Sequence, residues 1–211
     1  MIDESEDVQQ LLQRIAEKNP DLVEFRLDEV HDLEIVQKIA QKKLHPAIAA
    51  RKNASDPDVS RKLLIAAANS GFEYVDVDMA SQDASHLFRS LKSSGSKVIA
   101  SYHDRSGTPG SSDLTRVLDS ERKFGADICK IITTATHPRD NLRVLNFVEE
   151  KSAEAQLVSF AMGSVGVPSR ILCPFFGAKF TFAALSQDTK TAKGQLTIDD
   201  IRSVWQLLGI Q

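Results

Sequence analysis

A lysine in the middle of an apolar run is the residue whose setting most constrains its chemistry. Lys130 stands in Ile128-Cys129-Lys130-Ile131-Ile132, where its side chain has no short route to water. Burial disfavours an ammonium, lowers its pKa and leaves a neutral amine able to attack a carbonyl. The chemistry this points to is imine formation. The structural alternative is a lysine that snorkels from a strand end or bonds a buried carboxylate. His103 closes the run Val98-Ile99-Ala100-Ser101-Tyr102-His103-Asp104, at the end of a strand, where barrel enzymes keep their catalytic groups. Histidine has the unperturbed pKa nearest neutrality, so it suits removal of a proton beside an iminium carbon. In Met162-Gly163-Ser164-Val165-Gly166-Val167-Pro168-Ser169-Arg170, glycines after a strand bring backbone N–H groups close to an anion. Arg170 adds a planar fork that suits a carboxylate.

Other polar residues recur at strand positions where apolar ones are the rule. In Leu22-Val23-Glu24-Phe25-Arg26-Leu27-Asp28 the apolar Val23, Phe25 and Leu27 alternate with Glu24, Arg26 and Asp28. Val75, Val77 and Met79 alternate with Asp76 and Asp78, and Val98, Ala100 and Tyr102 with Ser101 and His103. Strand side chains point to opposite faces in turn, so each strand puts its polar residues on one face. Parallel strands are buried on both faces, and interior charges then need partners or a ligand. Either a buried ion-pair network or a binding site satisfies that requirement.

These residues lie on a regular alternation of helix-period stretches and short apolar runs, the order of a parallel sheet covered by helices. Helices are expected near 6–18, 31–43, 57–70, 82–93, 112–124, 138–152 and 197–208, with a short connection around 168–174. Strands are expected near 21–27, 46–51, 74–79, 97–103, 127–133, 157–162 and 178–183. The count points to a single α/β domain over 1–211, a small (β/α)8 TIM barrel, with an open doubly wound sheet as the runner-up. One strand is missing from the count, since only Met1 and Ile2 precede Asp3-Glu4-Ser5-Glu6. The loop 104–113 is the most polar and turn-forming, and it directly follows a strand end.

Composition narrows the partners. The chain has 211 residues, 42% hydrophobic and 26% charged, with 26 Lys plus Arg against 29 Asp plus Glu. A net charge of -3 gives no electrostatic case for nucleic acid or an anionic membrane. A small-molecule substrate fits better. No apolar run approaches the roughly 20 residues of a membrane span, and the polar N-terminal stretch is unlike a secretory signal, so a cytoplasmic location is expected. Cys129 and Cys173 lie outside any zinc or disulfide spacing and are expected as buried small hydrophobes. His31, His45, His86 and His137 are expected to be surface or structural, and no two histidines have metal-ligand spacing.

Taken in order, several segments resemble the type I 3-dehydroquinate dehydratases, Schiff-base enzymes of the shikimate pathway. They are Val23-Glu24-Phe25-Arg26-Leu27-Asp28, Ala50-Arg51, Ser101-Tyr102-His103-Asp104, Asp127-Ile128-Cys129-Lys130-Ile131, Met162-Gly163 through Ser169-Arg170, Phe176-Gly177 through Thr181-Phe182, and Gly194-Gln195. The resemblance implies dehydration of 3-dehydroquinate to 3-dehydroshikimate, with Lys130 attacking the C3 ketone and His103 removing a C2 proton. The imine is the electron sink, so no metal or organic cofactor is implied. Arg170 matches the arginine that holds the substrate carboxylate. Glu24, Arg26 and Arg51 match residues that contact the ring hydroxyls or order the site. Gln195 matches a lid glutamine, and Thr191 keeps the hydroxyl that opens the lid motif. A homodimer is compatible with an enzyme of this type.

Three features depart from the family pattern. Its lid motif Ser-Ala-Pro-Gly-Gln is here Thr191-Ala192-Lys193-Gly194-Gln195, with Lys193 in place of a stiffening proline. Its histidine-orienting glutamate is here Ser55, which leaves Asp56 or Asp78 as substitutes. The first strand is the third. Two other functions stay open at this stage: a lysine-imine aldolase on the same barrel, and a binding protein that kept the barrel without activity.

Overall fold

The computed structural model describes residues 7–51 and 56–210. Met1 and Ile2, on which the expectation about a first strand falls, and Ser55 lie outside the described residues. The chain forms two compact units, one running to Ala100 with Phe124–Asp127 added, the other made of Ser101–Lys123 and the chain from Ile128.

The first unit alternates α1 (Val8–Lys18), β1 (Val23–Arg26), α2 (Leu33–Lys42), β2 (Ala47–Ala50), α3 (Pro57–Asn69), β3 (Tyr74–Asp78), α4 (Ala84–Leu91) and the start of β4 (Lys97–His103). Its first three helices begin where an aspartate accepts orphan backbone N–H groups. Asp7 accepts from Gln9 and Asp32 from Glu34, while Asp56 accepts from Asp58 and Val59 and is followed by Pro57 at the first helical position. The strands pair in parallel, Arg26 beside Ala50 and Ala50 beside Asp76. On the other face of β1, Phe25 meets Phe72 edge-on with ring centroids 5.9 Å apart.

The second unit holds the end of β4, then α5 (Ser111–Phe124, up to Lys123), β5 (Ile128–Thr134), α6 (Arg139–Lys151), β6 (Leu157–Met162), α7 (Val167–Leu172) and α8 (Ile198–Leu207). β5 and β6 are parallel, with Lys130 beside Val158 and Ile132 beside Phe160. α8 starts at a capping box of Thr197 and Asp200, and Trp205 Nε1 ties it to the Ile171 carbonyl at 2.9 Å.

Each expected helix is present within about two residues of its expected ends, and so are the first six strands. Residues 178–183 are not a strand. Lys179 N–H still donates to Leu157 O of β6, at 2.9 Å, but the next polar atoms go elsewhere. Arg170 Nη1 takes the Phe182 carbonyl at 3.2 Å, and Thr181 Oγ1 donates to the Arg170 carbonyl at 2.6 Å. The Phe182 carbonyl is thus turned to a side chain of α7 rather than to a strand. Both cysteines are buried and free, as expected. Among the described residues no helix is long and apolar enough to cross a membrane.

Candidate active site

The register of β4 on β5 decides which side chains share a face. Asp104 N–H donates to the Ile132 carbonyl at 2.8 Å. In a parallel pair this bond sets His103 beside Ile132. With the β5–β6 register, His103, Ile132 and Phe160 form one row, and Lys130 and Val158 lie in the row beneath it. Lys130 and His103 are therefore diagonal neighbours on one face. The opposite face is turned to helix, where Cys129 meets Glu121 of α5; burial and that carboxylate push the thiol pKa up.

Lys130 is 3% exposed. Its Nζ sits over the Phe182 ring, 4.1 Å from the centroid. Arg170, also 3% exposed, lies over the Phe160 ring with Cζ 4.2 Å from the centroid. Phe160 and Phe182 are themselves neighbours at 6.3 Å. The Lys130 nitrogen and the Arg170 guanidinium thus stand on two touching aromatic rings, whose π faces attract positive charge. No carboxylate of the described residues pairs with Arg170, and burial lowers its guanidinium pKa to about 10. A buried guanidinium in that state is a receptor for an anion.

Arg170 is fixed from behind. Its helix α7 is short, and the polar groups of its first turn are engaged by buried side chains. Ser169 N–H donates to Asn141 Oδ1 of α6 at 3.0 Å, Ser169 Oγ donates to Gly166 O at 2.8 Å, and Ala161 N–H of β6 donates to Ser169 Oγ at 3.0 Å. Asn141 Nδ2 holds the Val165 carbonyl at 2.8 Å. Gly166 lies so close to β6 that a Cβ there would come within 2.3 Å of the Ala161 carbonyl oxygen.

The segment 191–195 closes on itself and on the turn after β6. Gln195 Oε1 accepts from Thr191 N–H at 2.8 Å and from Thr191 Oγ1 at 3.2 Å. Gly163 N–H donates to Lys193 O at 3.2 Å, and Gly194, at φ 78°, is seated so that a Cβ would meet Gly163 O at 2.3 Å. The departure from proline at 193 is thus accommodated by a contact that uses only the backbone of Lys193.

The polar loop after His103 is a hydrogen-bonded clamp on β5. Asp104 Oδ1 accepts from Ser106 N–H at 2.8 Å, Ser106 Oγ at 2.6 Å and Gly107 N–H at 3.1 Å; these bonds, that to Ser106 first, hold its pKa below the usual range. Thr134 Oγ1 donates to the Asp104 carbonyl at 2.8 Å, and Thr108 Oγ1 reaches Thr133 Oγ1 at 2.9 Å and Thr134 O at 3.0 Å. Arg143 of α6 holds the Thr108 carbonyl at 2.7 Å. These bonds fix the chain directly after His103.

In the first unit Arg26, Glu24 and Asp28 belong to one charged cluster with Asp76. Ala50 stands between Arg26 and Asp76 in the row, and its small side chain leaves the two charges facing each other. Burial disfavours the Arg26 guanidinium, but its 2.8 Å bond to Asp28 and the charges of Glu24, Asp28 and Asp76 outweigh that and raise its pKa. Arg51 is buried and donates through Nη1 to the Leu27 carbonyl at 2.6 Å and to the Val30 carbonyl, so it orders the turn after β1. Asp56 caps α3, and Asp78 Oδ1 accepts from Ala80 N–H at 2.9 Å. Both have local backbone partners.

Sequence reasoning gave no role to Phe160, Phe182, Asn141 or Ser169. Asn141 had a legible signal, since it precedes Val144, Leu145 and Val148 on the buried stripe of α6, where a polar residue needs partners. The phenylalanines had none, because an aromatic residue in an apolar stretch is ordinary core.

Comparison with known proteins bears on the whole chain. A family model described as type I 3-dehydroquinase matches residues 1–211. A 3-dehydroquinate dehydratase of Pyrococcus abyssi is 31% identical over 97% of this chain and 95% of its own length. One of Dehalococcoides mccartyi is 35% identical over 68% of this chain, a match that spans 64% of the relative. The crystal structure of 3-dehydroquinate dehydratase from Geobacillus kaustophilus, 27% identical, superposes with a TM-score of 0.85 over 97% of this chain and 88% of that one. The α/β fold is that of these structures, and the TIM-barrel class is consistent with it.

Proposed function

Because this chain belongs to the type I 3-dehydroquinase family, hydro-lyases that dehydrate 3-dehydroquinate on the shikimate pathway, we propose that Lys130 and His103 perform that reaction here through an imine. The observation that carries the reading is Lys130 Nζ held in a buried aromatic setting, on the same strand face as His103. Lys130 adds to the C3 ketone, and loss of water leaves an iminium that acidifies the protons on C2. His103 removes one of these, and the electrons pass into an enamine. The enamine expels the C1 hydroxyl, to which His103 returns the proton, so that water leaves. A second water hydrolyses the product imine and frees Lys130.

Arg170 binds the substrate carboxylate through the guanidinium that burial leaves without a counter-charge. Gln195 and Thr191 cover the bound ring, and in the first unit Glu24, Arg26 and Arg51 have a substrate-binding or ordering role. The imine supplies the electron sink, so the residues named account for each proton and bond. We also propose that the enzyme works in the cytoplasm as a homodimer, which light scattering would register as twice the chain mass.

Incubation with 3-dehydroquinate and borohydride, followed by peptide mass mapping, tests the reading. The expected result is a reduced adduct on Lys130. His103→Ala should keep the adduct while turnover falls by about 10²–10⁴. Absence of any adduct, or an adduct only with sugar phosphates, would overturn the assignment.

A further inference from the structure

Phe182 touches both ends of the site with different parts of itself. Its ring lies under Lys130 Nζ, 4.1 Å from centroid to nitrogen, while its carbonyl accepts from Arg170 Nη1 at 3.2 Å. Both contacts are made from the irregular stretch 178–183. We propose that Phe182 is a catalytic residue whose ring stabilises the protonated imine on Lys130, an assignment that rests on the imine reading of this site.

Charge bookkeeping along the reaction supports it. Starting from the ammonium, condensation joins Nζ to the ketone carbon and releases the carbonyl oxygen as water with two of the three Nζ protons. One proton and the positive charge remain on nitrogen. Removal of the C2 proton then moves an electron pair toward that nitrogen and discharges it in the enamine; loss of hydroxide, taken up as water with the proton from His103, restores the iminium of the product. The nitrogen is cationic on both sides of the enamine, and the π face of a ring attracts a cation more than a neutral nitrogen. Lys130 is anchored in β5, so its Nζ stays over the ring while the rest of the substrate extends beyond it.

The ring is held to this task from its edges. Phe180 packs edge-on at 5.5 Å and Phe160 tilted at 6.3 Å. Phe160 in turn carries Arg170 on its face, at 4.2 Å. A Phe182 that merely filled space would need neither the centred nitrogen nor the flanking rings.

The two contacts separate cleanly in an experiment, because any side chain at 182 keeps the carbonyl that meets Arg170. Phe182→Leu and Phe182→Met remove the π face, and Phe182→Tyr retains it. With the full chain and 3-dehydroquinate, the expected result is a fall in kcat of about tenfold or more for the Leu and Met variants. The fraction of Lys130 trapped by borohydride during turnover should fall in step, KM should stay within about threefold, and the Tyr variant should keep most of both signals. Thermal unfolding identifies any variant that has lost its fold, and the flexible Met side chain fills the volume if Leu does not. Folded Leu and Met variants with wild-type kcat and trapping would overturn the proposal. So would a Tyr variant that falls as far as Leu. If wild-type protein forms no Lys130 adduct at all, the imine reading itself fails, a result distinct from either of these.

Discussion

Arg26, half-buried, and Arg170, buried, stand one in each unit, and their surroundings push them in opposite directions. Arg26 has Asp28 bonded to Nε and Glu24 and Asp76 near it, and its pKa rises. Arg170 has a phenylalanine ring and one carbonyl oxygen, and burial takes its pKa to about 10. The first is satisfied within its own unit. The second bears a desolvation penalty that only an outside anion relieves.

The sharpest way to break this contrast is to make the same replacement at both sites. Arg26→Met should destabilise the protein by about 3–5 kcal/mol, because it leaves a cluster of carboxylates without their cation. Urea unfolding measures it, and an unchanged midpoint would show that the cluster is not held by Arg26. Arg170→Met should do the reverse to the free protein, raising stability by about 1–3 kcal/mol, while KM for 3-dehydroquinate rises by about a hundredfold. The sign has a pH window. A guanidinium with a lowered folded pKa carries its full penalty below about 10, and the penalty fades as pH climbs toward the ordinary arginine range, so the stability gap between variant and wild type should narrow there. A gap that stays constant through that range would remove the penalty from the account. The smallest effect belongs to the support of Arg170. Ser169→Ala strips an acceptor from Ala161 N–H and a donor from Gly166 O, costing about 1–2 kcal/mol. If the serine positions Arg170, KM should rise about tenfold in the wild-type background and not at all when combined with Arg170→Met.

The contrast also marks what was legible in the sequence. Helix and strand order followed from periodicity and from local signals, such as Asp56-Pro57 at the start of α3, whose partners lie within one turn. Lys130 stood out because a charge in an apolar strand is rare. Residues 178–183 read as a strand from their own pattern, whereas the structure turns the Phe182 carbonyl to Arg170, 12 residues earlier in the chain, a contact the pattern of neighbours does not encode. Phe182 was invisible for a related reason: its role comes from the nitrogen above it. The loop after His103 was correctly placed as polar and turn-rich, but its bonds to Thr133, Thr134 and Arg143 join three elements and are not encoded in its composition.

The seating of Gly194 against Gly163 carries one more consequence. Because Lys193 enters that contact through its carbonyl, its side chain can be changed without touching it, whereas Thr191, Gly194 and Gln195 have to stay as they are. Lys193, exposed and holding Gly163 N–H through its carbonyl, is then a natural handle for a fluorescent label that reports on the surroundings of the loop in a chain that still turns over.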